Sequence, residues 1–504
     1  MSAVHITAAP GFVVGPVRRR TFGSFVEHLG RGVYTGIYEP GHPQADEDGF
    51  RTDVLDLVRE LGVGTIRYPG GNFVSGYRWE DGVGPVDQRP QRLDLAWHTT
   101  EPNTFGLDEF MAWCRRGDFE PMMAVNLGTR GVAEALDLLE YCNHKGGTAL
   151  SDLRRANGAE APHDIRMWCL GNEMDGPWQV GYKSALEYGR LAAQVGRAMR
   201  MFDPDLTLVV CGSSGPFMPS FGEWERVVLG ETYDVVDLVS VHAYFAEEDG
   251  DLDSFLASAT AMDAFIEGVV ATADSVGTSL KSSKKIHLSF DEWNVWYQKR
   301  APSQPPTGDN WPVAPRLLED QYNVADAVVV GNLLISLLRH TDRVHAASLA
   351  QLVNVIAPIM TEPGGPAWRQ TTFHPFALTA QHAKGDVLDV LVDSTNYETK
   401  RYGEVPLVDA VATHDAETGD LTLFLVNRST SEATPIEADL RGFGALQLVE
   451  AVELSNPDHT WQATAQDATS VLPRPVADVT VEDGQLSLRL PPVSWAMVRL
   501  STTA

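Results

Sequence analysis

"RTDVLDLVRELGVGTIRYPGG", residues 51–71, contains a helical segment followed directly by a strand, and this pair of elements decides the fold class. The apolar residues of the helical part fall at the i, i+3, i+4, i+7 spacing of one helix face; they are Val54, Leu57, Val58 and Leu61. Thr52 is placed to be the N-cap, and Gly62 is placed to end the helix. Residues 64–71 form a short apolar run that predicts a buried strand.

Eight runs of this strand type occur in the first three quarters of the chain, with helical segments between them. They are residues 21–29, 64–71, 121–129, 165–173, 206–215, 236–244, 285–293 and 346–354. Several are apolar at nearly every position, as is typical of parallel strands buried on both faces. Eightfold alternation of strand and helix predicts a (β/α)₈ TIM barrel.

After about Gly385 the pattern changes to segments that alternate apolar and polar residues, separated by turns of Asn, Asp, Gly and Pro. This pattern predicts an antiparallel, jelly-roll-like β-sandwich. Residues 5–17 also have a strand pattern, and we expect them to add an edge strand to the sandwich. The predicted domains are therefore a catalytic barrel at 18–385 and a sandwich formed by 1–17 with 386–504.

Charge and composition exclude several kinds of partner. The 504 residues include 39 basic and 68 acidic ones, which gives a net charge of −29. Such a chain repels phosphate backbones and anionic lipids, so we expect neither nucleic acid nor membranes as partners. The chain start lacks a signal-peptide pattern and no run is long enough to span a bilayer, which favours the cytoplasm. Four widely spaced cysteines without a CxxC pair indicate buried, reduced thiols.

Polar side chains stand where the predicted barrel strands end, and barrel enzymes carry their chemistry on that face. In strand order they are Glu27 and His28, Arg67 and Asn72, Asn126, Asn172 and Glu173, Ser213 and Ser214, His242 and Tyr244, Glu292, and Gln351 with Asn354. The histidines form no HExxH or HxH pattern, so we predict no metal site and no cofactor.

Two glutamates end strongly apolar strands, Glu173 at the fourth strand and Glu292 at the seventh. Strands four and seven face each other across a barrel mouth, and two opposed carboxylates are what glycoside hydrolysis requires. A single glutamate at a strand end is more often a helix cap or a surface charge, but the paired placement favours catalysis. Arg67 is placed to hold one carboxylate ionised through charge-assisted hydrogen bonds.

Aromatic residues surround these positions in the sequence. Trp168, Met174 and Trp178 would disfavour the ionised form of Glu173 by desolvation, which suits an acid. Flat rings also stack on sugar faces, and four tryptophans follow strands two, four and seven: Trp97, Trp178, Trp296 and Trp311. Core packing is the alternative interpretation for each of them.

Six segments together resemble family 51 of the glycoside hydrolases, the α-L-arabinofuranosidases. They are "FVEHLGRGVYTGIYEP", "RYPGGNFVSGYRWEDGVGP", "WCLGNEMDGPWQ", "SVHAYF", "FDEWNVWY" and "AQLVNVIAPI". The resemblance covers nearly the whole chain. It implies that Glu173 is the general acid/base and Glu292 the nucleophile, positioned and tuned by Arg67, His242 and Tyr244.

The resemblance also implies a set of substrate contacts. Asn172 is expected to bind the sugar 2-hydroxyl, and Glu27, Asn72 and Gln351 the rest of the arabinose. Tyr244 lines the same pocket, Trp296 is similar to an aromatic wall of it, and Trp97 is a weaker candidate near the leaving group.

The expected activity is exo-hydrolysis of terminal α-L-arabinofuranosyl residues from arabino- and arabinoxylo-oligosaccharides, with retention of configuration. The alternatives are another retaining glycosidase on the same scaffold, such as a β-xylosidase or an endo-glucanase, or a non-catalytic carbohydrate-binding protein. A metal-dependent barrel lyase or isomerase ranks last. The resemblance further implies a homo-oligomer, a hexamer.

Overall fold

Eight parallel strands close into a barrel in the computed structural model, which describes residues 3–299 and 303–502. In chain order the strands are β1 (Gly23–Phe25), β2 (Thr65–Tyr68), β3 (Glu120–Val125), β4 (Met167–Leu170), β5 (Thr207–Cys211), β6 (Leu238–Phe245), β7 (His287–Val295) and β8 (Val344–Leu349). Each strand pairs with the next, and β8 pairs with β1. The predicted (β/α)₈ barrel is confirmed.

Helices follow every barrel strand. They are α1 (Thr52–Leu61), α2 (Leu107–Gly117), α3 (Val132–Asn143), α4 (Ala149–Ala156), α5 (Ala185–Phe202), α6 (Glu223–Thr232), α7 (Leu252–Leu256), α8 (Ser258–Ser279), α9 (Val324–Arg339) and α10 (Phe373–His382). Within the described residues, none of these helices is long and apolar enough to cross a membrane.

Helix α1 ends as its sequence predicts but begins differently. Gly62 adopts the left-handed conformation, with φ 82°, and its N–H donates to the Arg59 carbonyl. The predicted N-cap is wrong, because Thr52 is already the first helical residue and Arg51 occupies the cap position. The Thr52 hydroxyl donates instead to the Gln44 carbonyl at 2.9 Å, a tertiary contact that local sequence does not reveal.

The barrel interior is filled by small or flexible apolar side chains. They are Val74, Met122, Ala124, Met167, Cys169, Val209, Leu238 and Ala346. The alternate residues of the same strands, such as Met123 and Trp168, pack outward in the cluster that the helices cover. Burial on both sides explains why the strands are apolar throughout. All four cysteines are buried free thiols, as predicted.

Two further sheets follow the barrel. One contains five strands in the order Leu391–Asp393, Val4–Thr7, Thr434–Asp439, Gln485–Leu490 and Thr480–Glu482. The other contains seven, in the order Val13–Pro16, Asp386–Leu388, Val408–Asp415, Asp420–Asn427, Ser494–Thr502, Leu446–Leu454 and Arg474–Pro475. Residues from both sheets form one buried apolar cluster, an arrangement compatible with the predicted sandwich. The domain boundaries near residues 17 and 385 stay predictions.

The amino-terminal segment contributes more than the single edge strand expected from the sequence. Val13–Pro16 is an edge strand of the seven-stranded sheet, but Val4–Thr7 lies inside the five-stranded sheet. It pairs in parallel with Thr434–Asp439 and antiparallel with Leu391–Asp393. Both pairings join residues that are hundreds of positions apart, so the segment's own pattern cannot specify them.

Three short hairpins complete the described strands. They are Arg92–Asp94 with Thr99–Glu101, Ile359–Thr361 with Ala367–Arg369, and Asn396–Thr399 with Gly403–Pro406. The first of them lies in the connection between β2 and α2.

Candidate active site

The two glutamates predicted to act together lie side by side at the carboxyl-terminal mouth of the barrel. Glu292 is within β7, and Glu173 lies three residues after the end of β4. A carboxylate oxygen of each lies within 4.8 Å of the other and of one nitrogen of His242. Both side chains are buried, with residue exposures of 8% for Glu173 and 5% for Glu292.

Glu292 is held by two donors that the sequence singled out. Arg67 donates from Nη1 to Oε1 at 2.8 Å, and the Tyr244 hydroxyl donates to Oε2 at 2.6 Å. Burial alone would raise the pKa of Glu292, but the charges of His242 and Arg67 and these two hydrogen bonds outweigh it and lower that pKa. The site therefore keeps Glu292 ionised, as a nucleophile requires.

Glu173 has different neighbours. His242 Nδ1 lies 2.9 Å from its Oε1, and the Trp178 indole N–H donates to its Oε2 at 2.6 Å. Its backbone is left-handed, with φ 44°, a conformation that costs energy in a residue other than glycine and is common at functional sites. The prediction that Trp168 crowds Glu173 is wrong, since that ring packs outward and donates to the Ile165 carbonyl.

His242 contacts both carboxylates. The same Nδ1 that binds Glu173 lies 3.6 Å from Oε2 of Glu292. Burial lowers the pKa of His242, but the two carboxylates outweigh burial and raise it above its ordinary value. Because these three groups also have the spacing of metal ligands, the absence of a metal stays a prediction.

Glu27 forms a second acidic position, at the end of β1. It accepts hydrogen bonds from the Phe73 N–H and the Trp97 indole on Oε1, and from Gln351 Nε2 on Oε2, each at 2.9 Å. Burial raises the pKa of Glu27 to about 8, although the first two of these donors act in the opposite direction. Glu27 therefore titrates far above Glu292 in the same site.

Glycines in the "RYPGG" segment give these carboxylates room. A Cβ on Gly70 would lie 2.4 Å from Cβ of Glu27, and the φ of this residue is 110°. A Cβ on Gly71 would lie 3.1 Å from a Glu27 oxygen and 3.3 Å from a Glu292 oxygen. Side chains at these two positions would fill the space that Glu27 and Glu292 share.

The remaining predicted contacts lie around the same space. Asn172 accepts from Arg67 Nη2 at 2.6 Å, and its amide nitrogen lies 3.4 Å from Oδ1 of Asn72. The Trp296 ring packs edge-on against Tyr244 at a centroid distance of 4.9 Å. The Trp311 ring stacks on His98 at a centroid distance of 3.6 Å.

Two family models and several known proteins match this chain. Residues 57–262 match the model of the α-L-arabinofuranosidase 1 domain, and residues 291–494 match that of the α-L-arabinofuranosidase C-terminal domain. An intracellular exo-α-(1→5)-L-arabinofuranosidase of Streptomyces lividans is 59% identical over all of this chain and 76% of its own. An exo-α-(1→6)-L-arabinofuranosidase of Bifidobacterium longum is also 59% identical, over 97% of this chain and 95% of its own.

The chain belongs to the family 51 α-L-arabinofuranosidases. A solved family 51 structure from Bifidobacterium longum superposes on this arabinofuranosidase with a TM-score of 0.95 at 49% identity, covering 99% of this chain and 100% of the other. An arabinose complex of the Thermotoga maritima enzyme gives 0.88 at 34% identity, covering 99% of each chain. Membership makes the chain a glycoside hydrolase.

Two residues that lie at the candidate site of this arabinofuranosidase are not predicted from its sequence. Gln179 approaches Asn172 and donates to the Ser75 hydroxyl, and "GPWQ" carries no recognisable signal for that role. Asp291 lies beside Arg67 inside the barrel. Strict strand alternation would turn Asp291 away from the face that Glu292 occupies, so its neighbourhood could not be predicted from the pattern.

Proposed function

We propose that this enzyme releases terminal, non-reducing α-L-arabinofuranosyl residues from oligosaccharides by a retaining double displacement, with Glu173 and Glu292 as its catalytic pair. The observation that carries the proposal is the approach of their oxygens to within 4.8 Å. Retaining glycosidases hold their carboxyl groups about 5–5.5 Å apart, whereas inverting enzymes need about 6.5–9.5 Å to admit a water.

In the first step Glu292 attacks the anomeric carbon while the bond from that carbon to the leaving oxygen breaks. Glu173 gives its proton to that oxygen. The lowered pKa of Glu292 and its hydrogen bonds from Arg67 and Tyr244 support the assignment of Glu292 as the attacking anion. The product of this step is a covalent arabinosyl ester on Glu292.

In the second step Glu173, now ionised, takes a proton from water as the water oxygen attacks the anomeric carbon and the ester bond to Glu292 breaks. His242 lies 2.9 Å from Glu173 and 3.6 Å from Glu292 and carries a raised pKa. Its charge therefore compensates whichever of the two carboxylates is ionised. Two inversions at one carbon retain the configuration of the released arabinose.

We assign the glycone pocket to the groups around these carboxylates. The proposed substrate contacts are Glu27, Asn72, Asn172, Tyr244, Trp296 and Gln351, with Arg67 and His242 in supporting positions. Their support is two adjacent hydrogen-bonded groups on either side of Gly71: Gln351 with Glu27, and Asn72, Asn172, Arg67 and Tyr244 with Glu292.

The preferred substrates are proposed to be arabino- and arabinoxylo-oligosaccharides. Two relatives that are equally identical to this chain are named for different linkages, (1→5) and (1→6), so overall identity does not decide the linkage. A cytoplasmic location is supported by relatives named intracellular, among them the Streptomyces lividans and Acetivibrio thermocellus enzymes. Assembly as a hexamer stays a prediction.

The assignment of roles is tested by two substitutions and a series of aryl arabinofuranosides with different leaving groups. Glu173→Ala should retain cleavage of activated aryl substrates, which need no proton, and lose cleavage of poor leaving groups. Glu292→Ala should lose activity on both kinds of substrate, by roughly 10⁴-fold or more. Full activity of Glu292→Ala, or NMR detection of inverted arabinose as the first product, would overturn the mechanism. A panel of nitrophenyl xylosides and glucosides separates the rival specificities.

A further inference from the structure

A bulge in β7 turns two consecutive acidic side chains into the barrel. On the β6 side, Ser289 pairs with Ser240 but Glu292 pairs with His242, so β7 has one extra residue between the two pairs. The pairing with β8 shifts over the same segment. A bulge of this kind breaks the in–out alternation of a strand, and Asp291 and Glu292 therefore both face inward.

The flanking aromatic residues show the same change of direction. Phe290 packs against Phe265 of α8, and Trp293 stacks near Phe376 of α10, so both point outward to the helices. Between them Asp291 is buried at 1% exposure. Its carboxylate lies inside the barrel, on the Cys169 side of the pocket, at 3.9 Å from that thiol.

Arg67 connects Asp291 to the catalytic groups. Its Nε lies 3.7 Å from Oδ2 of Asp291, while Nη1 donates to Glu292 and Nη2 donates to Asn172. One guanidinium thus presents a different nitrogen to each of three groups. Asp291 contacts Arg67 and the Cys169 thiol, so its influence on Glu292 passes through Arg67 and through its charge.

The other ionisable groups near Asp291 come from four strands: Arg67 in β2, Cys169 in β4, Cys211 in β5 and His242 in β6. Burial raises the pKa of Asp291, and the neighbouring Glu292 adds to that effect, whereas the charges of Arg67 and His242 oppose it. Burial also raises the pKa of both thiols, which keeps them neutral. Arg67 is therefore the permanent cation that two carboxylates share.

We propose that Asp291 is a positioning residue for the nucleophile: its carboxyl group, paired with the Arg67 guanidinium, anchors that cation and limits how strongly it stabilises the Glu292 anion. Without the second anion, all of the Arg67 charge would act on Glu292. A more strongly stabilised carboxylate is a weaker base and a weaker nucleophile, by the Brønsted relation. This inference rests on the proposed role of Glu292.

Asp291→Asn tests the proposal, because the amide keeps the size of the side chain and removes its charge. We expect the acid limb of kcat/KM for an aryl arabinofuranoside to move down by about one pH unit, since a charge within ~4–6 Å shifts a carboxyl pKa by ~1–3 units. We expect kcat to fall about 3-fold at neutral pH with little change in KM, since a Brønsted slope of about 0.5 converts one pKa unit into that factor. Asp291→Glu, which restores the charge, should return the acid limb toward the wild-type position.

Asp409→Asn is the matched control. Asp409 is also a buried aspartate paired with arginines, Arg339 and Arg428. It lies in the strand Val408–Asp415 of the seven-stranded sheet, where the sheet meets α9. Asp409→Asn should lower the melting temperature and leave the acid limb in place. An unmoved acid limb in Asp291→Asn would overturn the proposal, whatever its effect on stability. If Asp291→Asn does not fold, the same measurement is made on Asp291→Ser, which has a smaller side chain and also lacks the charge. An unmoved acid limb in that variant would likewise overturn the proposal. If the wild-type enzyme does not hydrolyse arabinofuranosides, the proposed function itself is wrong.

Discussion

Two buried clusters of arginine and carboxylate in this molecule have similar parts and different charge balances. The interface cluster joins Arg339 and Asn332 of α9 to Asp409 of the seven-stranded sheet and to Arg428, which follows the strand Asp420–Asn427. Asp409 accepts from both arginines, from Asn332 at 2.7 Å and from the Ala410 N–H at 2.9 Å. The two arginines face two aspartates, since Arg339 also binds Asp263.

The mouth cluster consists of Arg67, Asp291 and Glu292, and Glu173 and Glu27 lie close to it. Here one arginine and one histidine contact three carboxyl groups, those of Asp291, Glu292 and Glu173, while Glu27 accepts from the neutral donors Trp97 and Gln351. The carboxyl groups consequently titrate apart: burial raises the pKa of Glu27 to about 8, whereas the cations outweigh burial and lower the pKa of Glu292. In the interface cluster the arginines similarly outweigh burial and lower the pKa of Asp409.

This difference is the one expected between a structural cluster and the proposed catalytic one. A balanced set of buried charges has no proton to exchange near neutral pH and serves to join two packed elements. A set with more acids than bases holds groups of different proton affinity next to each other, which is what acid and nucleophile roles require. Substitutions in the two clusters should therefore affect different properties.

Of the three substitutions that follow, Arg67→Met is expected to have the largest effect. Loss of the guanidinium removes the donor and the positive charge that keep Glu292 ionised, so kcat/KM should fall by about 10²–10³-fold. The acid limb of the pH profile should move up, because the lowered pKa of Glu292 rises when its cation is removed. Steady-state kinetics across about pH 4–9, which spans the carboxyl and imidazole pKa values, measure kcat/KM and the position of the acid limb. A profile identical to that of the wild type would mean that the mouth cluster is not catalytic.

A smaller effect, on a different property, is expected for Arg428→Met in the interface cluster. Breaking a buried ion pair from one side leaves the other charge unpaired and costs about 3 kcal/mol of unfolding free energy. Denaturant unfolding should show this loss, while kcat/KM and its pH profile for the folded enzyme stay unchanged. A shifted acid limb in this variant would show that the two clusters are coupled, contrary to the comparison.

The smallest of the three effects is expected for Glu27→Gln. The amide nitrogen must face either Gln351 or Trp97, and both donate to Glu27, so KM above pH about 8 should rise by about 10-fold through the unsatisfied contact. Below that pH the protonated carboxyl group of the wild type places its own O–H there, so the difference in KM should shrink. In the wild type, Glu27 is protonated below pH about 8 and ionised above it, so KM should inflect near that pH. The inflection should be absent in Glu27→Gln.

Glu453→Gln provides the control for this substitution. Glu453 is also buried, accepts from Arg474 at 3.0 Å, and lies in the strand Leu446–Leu454 of the seven-stranded sheet. Its substitution should leave KM unchanged at every pH. If the inflection near pH 8 persists in Glu27→Gln, it belongs to another group.

Much of the fold was predictable because it depends on local patterns. The apolar face of α1 and the glycine that ends it are readable from a few neighbouring residues, and the strands are apolar because the barrel buries both of their faces. The pairing of Val4–Thr7 with Thr434–Asp439 was not predictable, because a short strand pattern is compatible with several partners.

The strand-end rule predicts from sequence that Glu27, Arg67, Glu173 and Glu292 lie on one face of the barrel. The same rule missed Asp291, since the bulge that turns it inward depends on how β7 pairs with both neighbouring strands. Nearness in the sequence also misassigned Trp168. This residue precedes Glu173 in the same β4 segment, but its ring lies on the outer side of the barrel wall. Proximity in sequence was a poor guide to proximity in the site.

The sequence by itself determined which chemical groups stand at the barrel mouth, because strand period and burial are local properties. Only the tertiary structure decided the pKa of each of those groups, and therefore which of them are protonated. Arg67 and Glu292 are separated by 225 positions and Glu27 and Gln351 by 324, yet each pair is in hydrogen-bond contact. Electrostatic interactions depend on distance and on exclusion of water, and both are set by packing between strands that are remote in sequence.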